Sequence, residues 1–189
     1  TGHDPQTGKE LWRWGTWNRG HREQWWRLVP SPAVGGGVVL ACAPKNAPVY
    51  AAKLGLTGTH SGNDGLVWES SSHSQVTSDV PTPLYHQGKF YVLSDLKKAM
   101  TRIDPKSGDV EWTVKMPGKY KWRASPTAAG GLIYTMNHNG EVIVINAKDG
   151  AILNVAKMGG QYDDNTRASV AISDGQLFVR SNEKLYCIE

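Results

Sequence analysis

Two stretches of this chain bring aromatic and cationic side chains close enough together for recognition chemistry. The first runs Trp14-Gly15-Thr16-Trp17-Asn18-Arg19-Gly20-His21-Arg22-Glu23-Gln24-Trp25-Trp26-Arg27, with Arg13 just before it. Indole faces attract guanidinium groups, and such pairs build interface hot spots and stacking platforms for sugars. The second, Lys115 to Arg123 (KMPGKYKWR), interleaves lysines with Tyr120 and Trp122. That pattern suits a partner surface, or a grip on a nucleic-acid strand by charge and stacking. A plainer use competes for the first stretch: Trp14, Trp25 and Trp26 can form a satellite core with arginine stems laid over them. The partner contacts expected are Trp17, Arg19, Arg22, Trp25, Trp26, Lys119, Tyr120 and Arg123.

Catalytic and metal chemistry find less footing. His60-Ser61-Gly62-Asn63-Asp64-Gly65 and Asp163-Asp164-Asn165 carry oxygen ligands, but neither has the spacing and distal Glu of an EF-hand loop, and turn chemistry accounts for both. The histidines show no His-x-x-x-His pair, so no zinc site is read. Neither a Gly-x-Ser-x-Gly elbow nor a P-loop is present. Ser71-Ser72-His73-Ser74 sets hydroxyls beside a base and reads as a Ser-rich surface loop. No catalytic, cofactor-binding or metal-binding residue is assigned.

The formal net charge of +4 and pI near 9.0 suit weak attraction to anionic surfaces. They fall short of a nucleic-acid footprint, which needs basic residues gathered on one face, so no nucleic-acid partner is expected. No apolar run approaches the ~18 residues of a membrane span. Cys42 and Cys187 both fall in predicted strands and are expected to be small buried apolar residues. They leave the redox compartment open.

These segments hang on a repeat. Asp4-Pro5-Gln6-Thr7-Gly8 followed by Trp12 returns as Asp104-Pro105-Lys106-Ser107-Gly108 followed by Trp112. A worn copy, Leu54-Gly55-Leu56-Thr57-Gly58, precedes Trp68, and Asn146-Ala147-Lys148-Asp149-Gly150 puts Asn154 in the tryptophan's place. A second phrase alternates with the first: Ser31-Pro32, Thr82-Pro83, Ser125-Pro126 and Ser169-Val170. Self-similarity at about 40–50 residues signals a propeller or a repeat array.

Each period parses into short alternating strands and Gly-rich turns, as antiparallel meanders do. The expected strands are Ser31–Val34, Val38–Cys42, Val49–Lys53 and Leu66–Glu69 in the first, and Thr82–Tyr85, Lys89–Ser94, Met100–Asp104 and Val110–Lys115 in the second. The third gives Ser125–Ala129, Leu132–Met136, Glu141–Asn146 and Ala151–Ala156; the last gives only Ser169–Ile172, Gln176–Arg180 and Lys184–Ile188. Glu10–Trp14 is left as an outer strand of a preceding blade. The fold class is all-β, a partial β-propeller of four-stranded antiparallel blades, about four in this chain. Residues 31–69, 82–115 and 125–156 are full blades and 168–189 a three-stranded last one. Strand parity puts the blade-to-blade connections and second-to-third loops on one face, where length and composition vary and sites are expected.

The Asp-x-x-Thr-Gly-x-x-x-Trp phrase and the Ser-Pro strand opening resemble the PQQ-type β-propeller repeat. That repeat is shared by bacterial quinoprotein dehydrogenases and by the BamB-like component of outer-membrane β-barrel assembly. The resemblance implies that Trp12, Trp68 and Trp112 are structural, each packing on a Thr-Gly turn of a neighbouring blade, with Gly8, Gly58 and Gly108 as the turn glycines. At Asn154 it implies a junction sealed differently or more weakly. It further implies a periplasmic, secreted or membrane-anchored bacterial parent, and a non-catalytic scaffold for a protein, peptide or carbohydrate partner. Because the family builds seven or eight blades, the chain is expected to be the C-terminal half of a larger propeller, self-associating or pairing with a missing N-terminal half. Pairing of Glu10–Trp14 with Ser169–Ile188 into a small closed ring is the other arrangement. The alternative function is a fragment of a PQQ-dependent quinoprotein oxidoreductase, whose relatives hold PQQ and Ca²⁺ with the help of a vicinal disulfide that this sequence lacks.

Overall fold

The computed structural model describes residues 1–15, 27–71 and 73–189. Trp17, Arg19, Arg22, Trp25 and Trp26 lie outside the described residues. Three four-stranded antiparallel sheets follow one another along the chain. The first joins β3 (Ala33–Gly35), β4 (Val38–Cys42), β5 (Val49–Lys53) and β7 (Leu66–Glu69). The second runs β8 (Leu84–His86), β9 (Lys89–Ser94), β10 (Ala99–Ile103), β11 (Val110–Lys115). The third runs β12 (Thr127–Ala129), β13 (Leu132–Met136), β14 (Glu141–Asn146), β15 (Ile152–Lys157). A three-stranded sheet closes the series: β16 (Ala171–Ser173), β17 (Gln176–Arg180), β18 (Leu185–Ile188). The first strands β3, β8, β12 and β16 neighbour one another in sequence order, as the innermost strands of successive blades do.

A strand buried on both faces reads as a near-continuous apolar run, as β9 does from Phe90 to Leu93. Phe90 and Val92 pack with Val38, Leu40 and Val49 of the first sheet. Their alternating neighbours Tyr91 and Leu93 pack with Ile133, Ile143 and Ile145 of the third. In the third sheet the partition repeats: Tyr134, Met136 and Val142 pack with Val179 of the last sheet and Val170 just before it. The core therefore lies between blades, and β9, β13 and β14 each serve two of its compartments.

Three of the four copies of the repeated phrase fold as the same turn; the worn copy at residues 54–58, without an Asp or Asn, does not. Asp4 Oδ1 accepts the N–H groups of Gln6 (2.8 Å) and Thr7 (3.0 Å), and Gly8 N donates to Asp4 O at 2.8 Å. Asp104 Oδ1 accepts from Lys106 (2.8 Å) and Ser107 (3.3 Å), and Gly108 N reaches Asp104 O at 2.9 Å. Asn146 Oδ1 does the same for Lys148 N at 2.9 Å, with Gly150 N on Asn146 O at 2.9 Å. The glycine closing the turn has φ +77° at both Gly108 and Gly150, a left-handed conformation that favours glycine. The Asp or Asn is thus required as an acceptor aimed at its own backbone, with no call on solvent chemistry.

The second phrase ties blades together. Ser31 N donates to Thr82 Oγ1 and Thr82 N donates to Ser125 Oγ, both at 3.0 Å. Thr127 Oγ1 then donates to Val170 O at 2.9 Å. A short hydroxyl at the mouth of the innermost strand supplies a partner to an N–H of the preceding blade. Ser125→Ala is expected to cost about 0.5–1.5 kcal/mol, the worth of one such bond, read from the urea midpoint.

Two short strands went unread in the sequence: β1 (Gly2–His3) and β6 (Gly58–His60). Neither has enough residues to show alternation. They sandwich β2 (Glu10–Trp14), which pairs antiparallel with β1 and parallel with β6. Glu10–Trp14 therefore lies beside the insertion of the first blade; it does not pair with β17 or β18. Trp14 anchors it there, its ring tilted against Tyr50 at 4.9 Å between centroids and Nε1 donating to Gly62 O at 3.0 Å. Trp14 and Leu66 join Ala43, Ala47 and Tyr50 in a small satellite core, the structural use weighed for this tryptophan.

Cys42 is buried and its thiol is pushed up to about 12 by burial. Cys187 is exposed, against the expectation that both were core residues, because β18 alternates outward at that position. Both thiols are free.

Candidate binding face

The tryptophans of the repeat meet different surroundings. A Cβ added to Gly108 would lie 2.7 Å from the Trp68 ring, and Trp68 Nε1 donates to Pro105 O at 2.8 Å. The ring of β7 thus rests on the turn of the next sheet. A Cβ on Gly150 would come within 2.9 Å of Trp112, whose ring also lies tilted against Tyr91 at 5.8 Å between centroids. Trp12 instead covers Gly2 of its own hairpin, and open space lies above Gly8 and Gly58. Position 154, where the repeat loses its tryptophan, is exposed. The last junction is closed by other means: Tyr186 Oη donates to Met158 O at 2.8 Å over the Tyr134, Val170 and Val179 cluster.

The turns closed by Gly108 and Gly150 occupy one face of the sheets. The opposite face carries the blade-to-blade connections, and four of them converge on a single cavity of about 170 Å³. Arg27 and Val29 come from the connection before β3, Asp79 and Val80 from that before β8, Arg123 from that before β12, and Arg167 from that before β16. Lys45, in the β4–β5 loop, completes the wall. Its backbone is held by Lys45 N donating to Asp79 Oδ1 at 3.1 Å, and its Nζ stands 3.5 Å from Asp79 Oδ2.

Arg123, expected as an exposed contact, is mostly covered: its side chain is 19% exposed. Nε donates to Oδ2 of Asp95 at 2.9 Å, and that carboxylate is fully buried, with Oδ1 lacking any hydrogen-bond partner. The exposed-contact expectation is corrected here, because a buried aspartate at the start of the β9–β10 loop demands a cation and Arg123 is the one that supplies it. Beside this pair sits His138, whose imidazole is held below its usual range first by burial, then by Arg123, Arg167 and Lys121. It is consequently neutral at neutral pH.

Lys119 is exposed and its Nζ stands over the Tyr120 ring at 5.3 Å, a cation–π contact within one loop. Lys98 Nζ caps that loop by donating to Lys119 O at 2.6 Å. Trp122 is fully buried, with Nε1 donating to Pro117 O at 3.0 Å. The loop thus presents one aromatic face outward and spends the other on the core.

Asp163 organises the last connection. Its Oδ1 accepts from Asn182 N at 2.5 Å and Oδ2 accepts from Gly160 N at 2.5 Å. These donors, Gly160 first, hold the carboxyl below its usual range. A depressed folded value means the contribution is whole above the ordinary carboxylate range and is lost as pH falls through the folded value. Between about pH 5 and pH 2 the wild-type melting temperature should fall further than that of Asp163→Asn, which starts lower and has less to lose.

A frame of four-stranded meanders with neighbouring inner strands and connections gathered on one face defines a β-propeller of PQQ-like repeats. A family model described as outer membrane protein assembly factor BamB matches residues 1–189, and the chain belongs to that family. Among solved structures it is similar to BamB from Moraxella catarrhalis, at 12% identity and TM-score 0.60, over 82% of this chain and 43% of that one. It is similar to the computationally designed protein Ika4, at 14% identity and TM-score 0.69, over 96% and 99% of the two chains. A quinohemoprotein alcohol dehydrogenase from Comamonas testosteroni shares the fold at 15% identity and TM-score 0.53, over 69% of this chain and 21% of that one. The chain thus spans less than half the length of the natural proteins it resembles. A search of curated protein sequences gives no match.

Proposed function

We propose that this chain is a non-catalytic binding scaffold that holds a protein, peptide or carbohydrate partner on its connection face, outside the cytoplasm. The observation that carries the reading is the convergence of four blade-to-blade connections on one basic cavity, above sheets whose other face is given to stereotyped turns. Rigid strands with variable, charged connections hold a recognition surface steady without preparing any bond to break. The family's description as an outer-membrane assembly factor supports a protein partner of the bacterial envelope.

The donors that PQQ and Ca²⁺ would need are not gathered among the described residues. Cys42 and Cys187 are one buried and one exposed thiol, and no trio of His, Cys, Asp or Glu surrounds a common point. No reaction step is drawn through that group. PQQ with Ca²⁺ at high concentration is expected to leave the melting temperature unchanged, whereas a ligand at ~100 times its Kd would add about 2.7 kcal/mol of stability. A shift of that size would favour the quinoprotein reading.

The scaffold reading is tested by capture from envelope extracts, with bound proteins identified by mass spectrometry. Lys119→Ala with Tyr120→Ala, and separately Trp17→Ala with Arg19→Ala and Arg22→Ala, should lower partner capture about tenfold or more, as hot-spot truncations do. Lys148→Ala with Asp174→Ala, on the turn face, should leave it unchanged. Equal effects on both faces would overturn the reading.

A further inference from the structure

We infer that the cavity between Arg27, Lys45, Arg123 and Arg167 receives a carboxylate, and that its occupant is an acidic side chain of an extended peptide partner. The inference rests on the scaffold reading above and names the chemistry of what that scaffold holds.

The charges on the wall do not balance. Lys45 stands against Asp79, and Arg123 is committed to the buried Asp95. Arg27 and Arg167 remain, both exposed and both without a carboxylate partner among the described residues. Arg167 uses only Nε, which donates to Asn165 Oδ1 at 3.2 Å, so the Nη edge of its guanidinium is unspent. Two arginines facing one small space repel each other until an anion enters. A guanidinium edge matches a carboxylate with paired donors, which is why arginine is favoured where planar anions are read.

Size and lining narrow the occupant. A cavity of about 170 Å³ has room for a handful of waters at ~30 Å³ each. That is space for one acidic side chain, with the remainder of the partner lying over the face. Val29 and Val80 line the same cavity, giving a methylene stem something apolar to lie against. A nucleic-acid strand is disfavoured by the same geometry. The cations converge on one point where a backbone would need a track, and among the described residues no aromatic face lines the cavity to stack a base.

The test is fluorescence anisotropy with a labelled ten-residue peptide of alternating Glu and Ser, against the same peptide with Gln for Glu. The Glu peptide should bind at least tenfold more tightly, and Arg27→Gln with Arg167→Gln should erase that difference. Both replaced side chains are exposed, so the variant should melt as wild type does. Lys106→Gln with Lys148→Gln removes the same charge from the turn face and should change affinity less than twofold. Inorganic phosphate and a single-stranded oligonucleotide serve as competitors, and each should displace the peptide only weakly. Equal binding of Glu and Gln peptides, indifference to Arg27 and Arg167, or stronger competition by phosphate or oligonucleotide would each overturn the inference. If the peptide result fails while the loop-face variants still lose envelope capture, the carboxylate site falls and the scaffold stands. If capture is indifferent to face, the scaffold reading falls whatever the peptide does.

Discussion

Arg123→Ala is expected to lower the stability of the propeller by about 3–5 kcal/mol, because it strands a buried carboxylate without its cation. Asp95 is fully buried and already has one oxygen without a hydrogen-bond partner. Loss of the 2.9 Å bond from Arg123 Nε leaves the other oxygen bare as well. Removing the pair should be far milder: Arg123→Met with Asp95→Leu replaces two buried charges by packed carbon and should recover most of the loss. Urea denaturation of wild type, single and double variants makes the comparison, with the midpoint as readout. A double variant no more stable than the single would show that packing, not desolvated charge, sets the cost. Any loss of binding in Arg123→Ala must accordingly be read beside its melting curve.

Trp68→Ala should cost about 3–5 kcal/mol, the usual range for truncating a large aromatic side chain in a core. Three ties are lost together: packing on the Val38 and Phe90 cluster, contact with Gly108, and the 2.8 Å bond to Pro105 O. Trp12→Ala should cost much less, since that ring covers only its own hairpin at Gly2. A companion pair isolates the ring contact. Gly8→Ala and Gly108→Ala both force a side chain onto a positive φ (+70° and +77°), but only at Gly108 does the new Cβ strike an indole, at 2.7 Å. The excess cost of Gly108→Ala over Gly8→Ala therefore measures the clash with Trp68. Equal losses in the two would deny that the ring is fixed there.

The blades were legible because meander turns carry their own chemistry. An Asp or Asn that accepts its own backbone, followed by a left-handed Gly, leaves a sequence mark in three of the four copies, and Leu54 stands in its place in the other. The middle strands β4, β9, β13 and β14 match their expected bounds residue for residue, since alternation over five or six residues is a strong signal. The first strands β3, β8, β12 and β16 begin two residues later than expected. Ser31, Thr82, Ser125 and Ser169 sit just outside them, and the first three bind across blades instead of within a ladder or carry a partner that does. The parallel pairing of Trp12 with Gly58 left no mark at all, because a three-residue strand opening on glycine has no period to show.

The cavity was legible only in outline. Strand parity placed the connections on a common face, and Arg27 and Arg123 were noted among its residues. Lys45, Asp79 and Arg167 were missed, each an ordinary charge in an ordinary loop. Their meeting depends on how four blades fan around one another, which no local window contains. A count of unpaired charges over the connections alone, setting aside strands and turns, would have raised them.

The tryptophan and Ser/Thr ties of the first two blades run one way along the chain. Trp68 leans on a turn of the blade after its own, Trp112 does likewise, and Ser31 and Thr82 each give an N–H to a hydroxyl found further on. During synthesis, which delivers the N-terminal blades first, each of these two blades leaves the ribosome before the turn and hydroxyl that fasten it. Completion then travels as a wave one blade behind the growing end, and a pause after either blade holds back only the last one made.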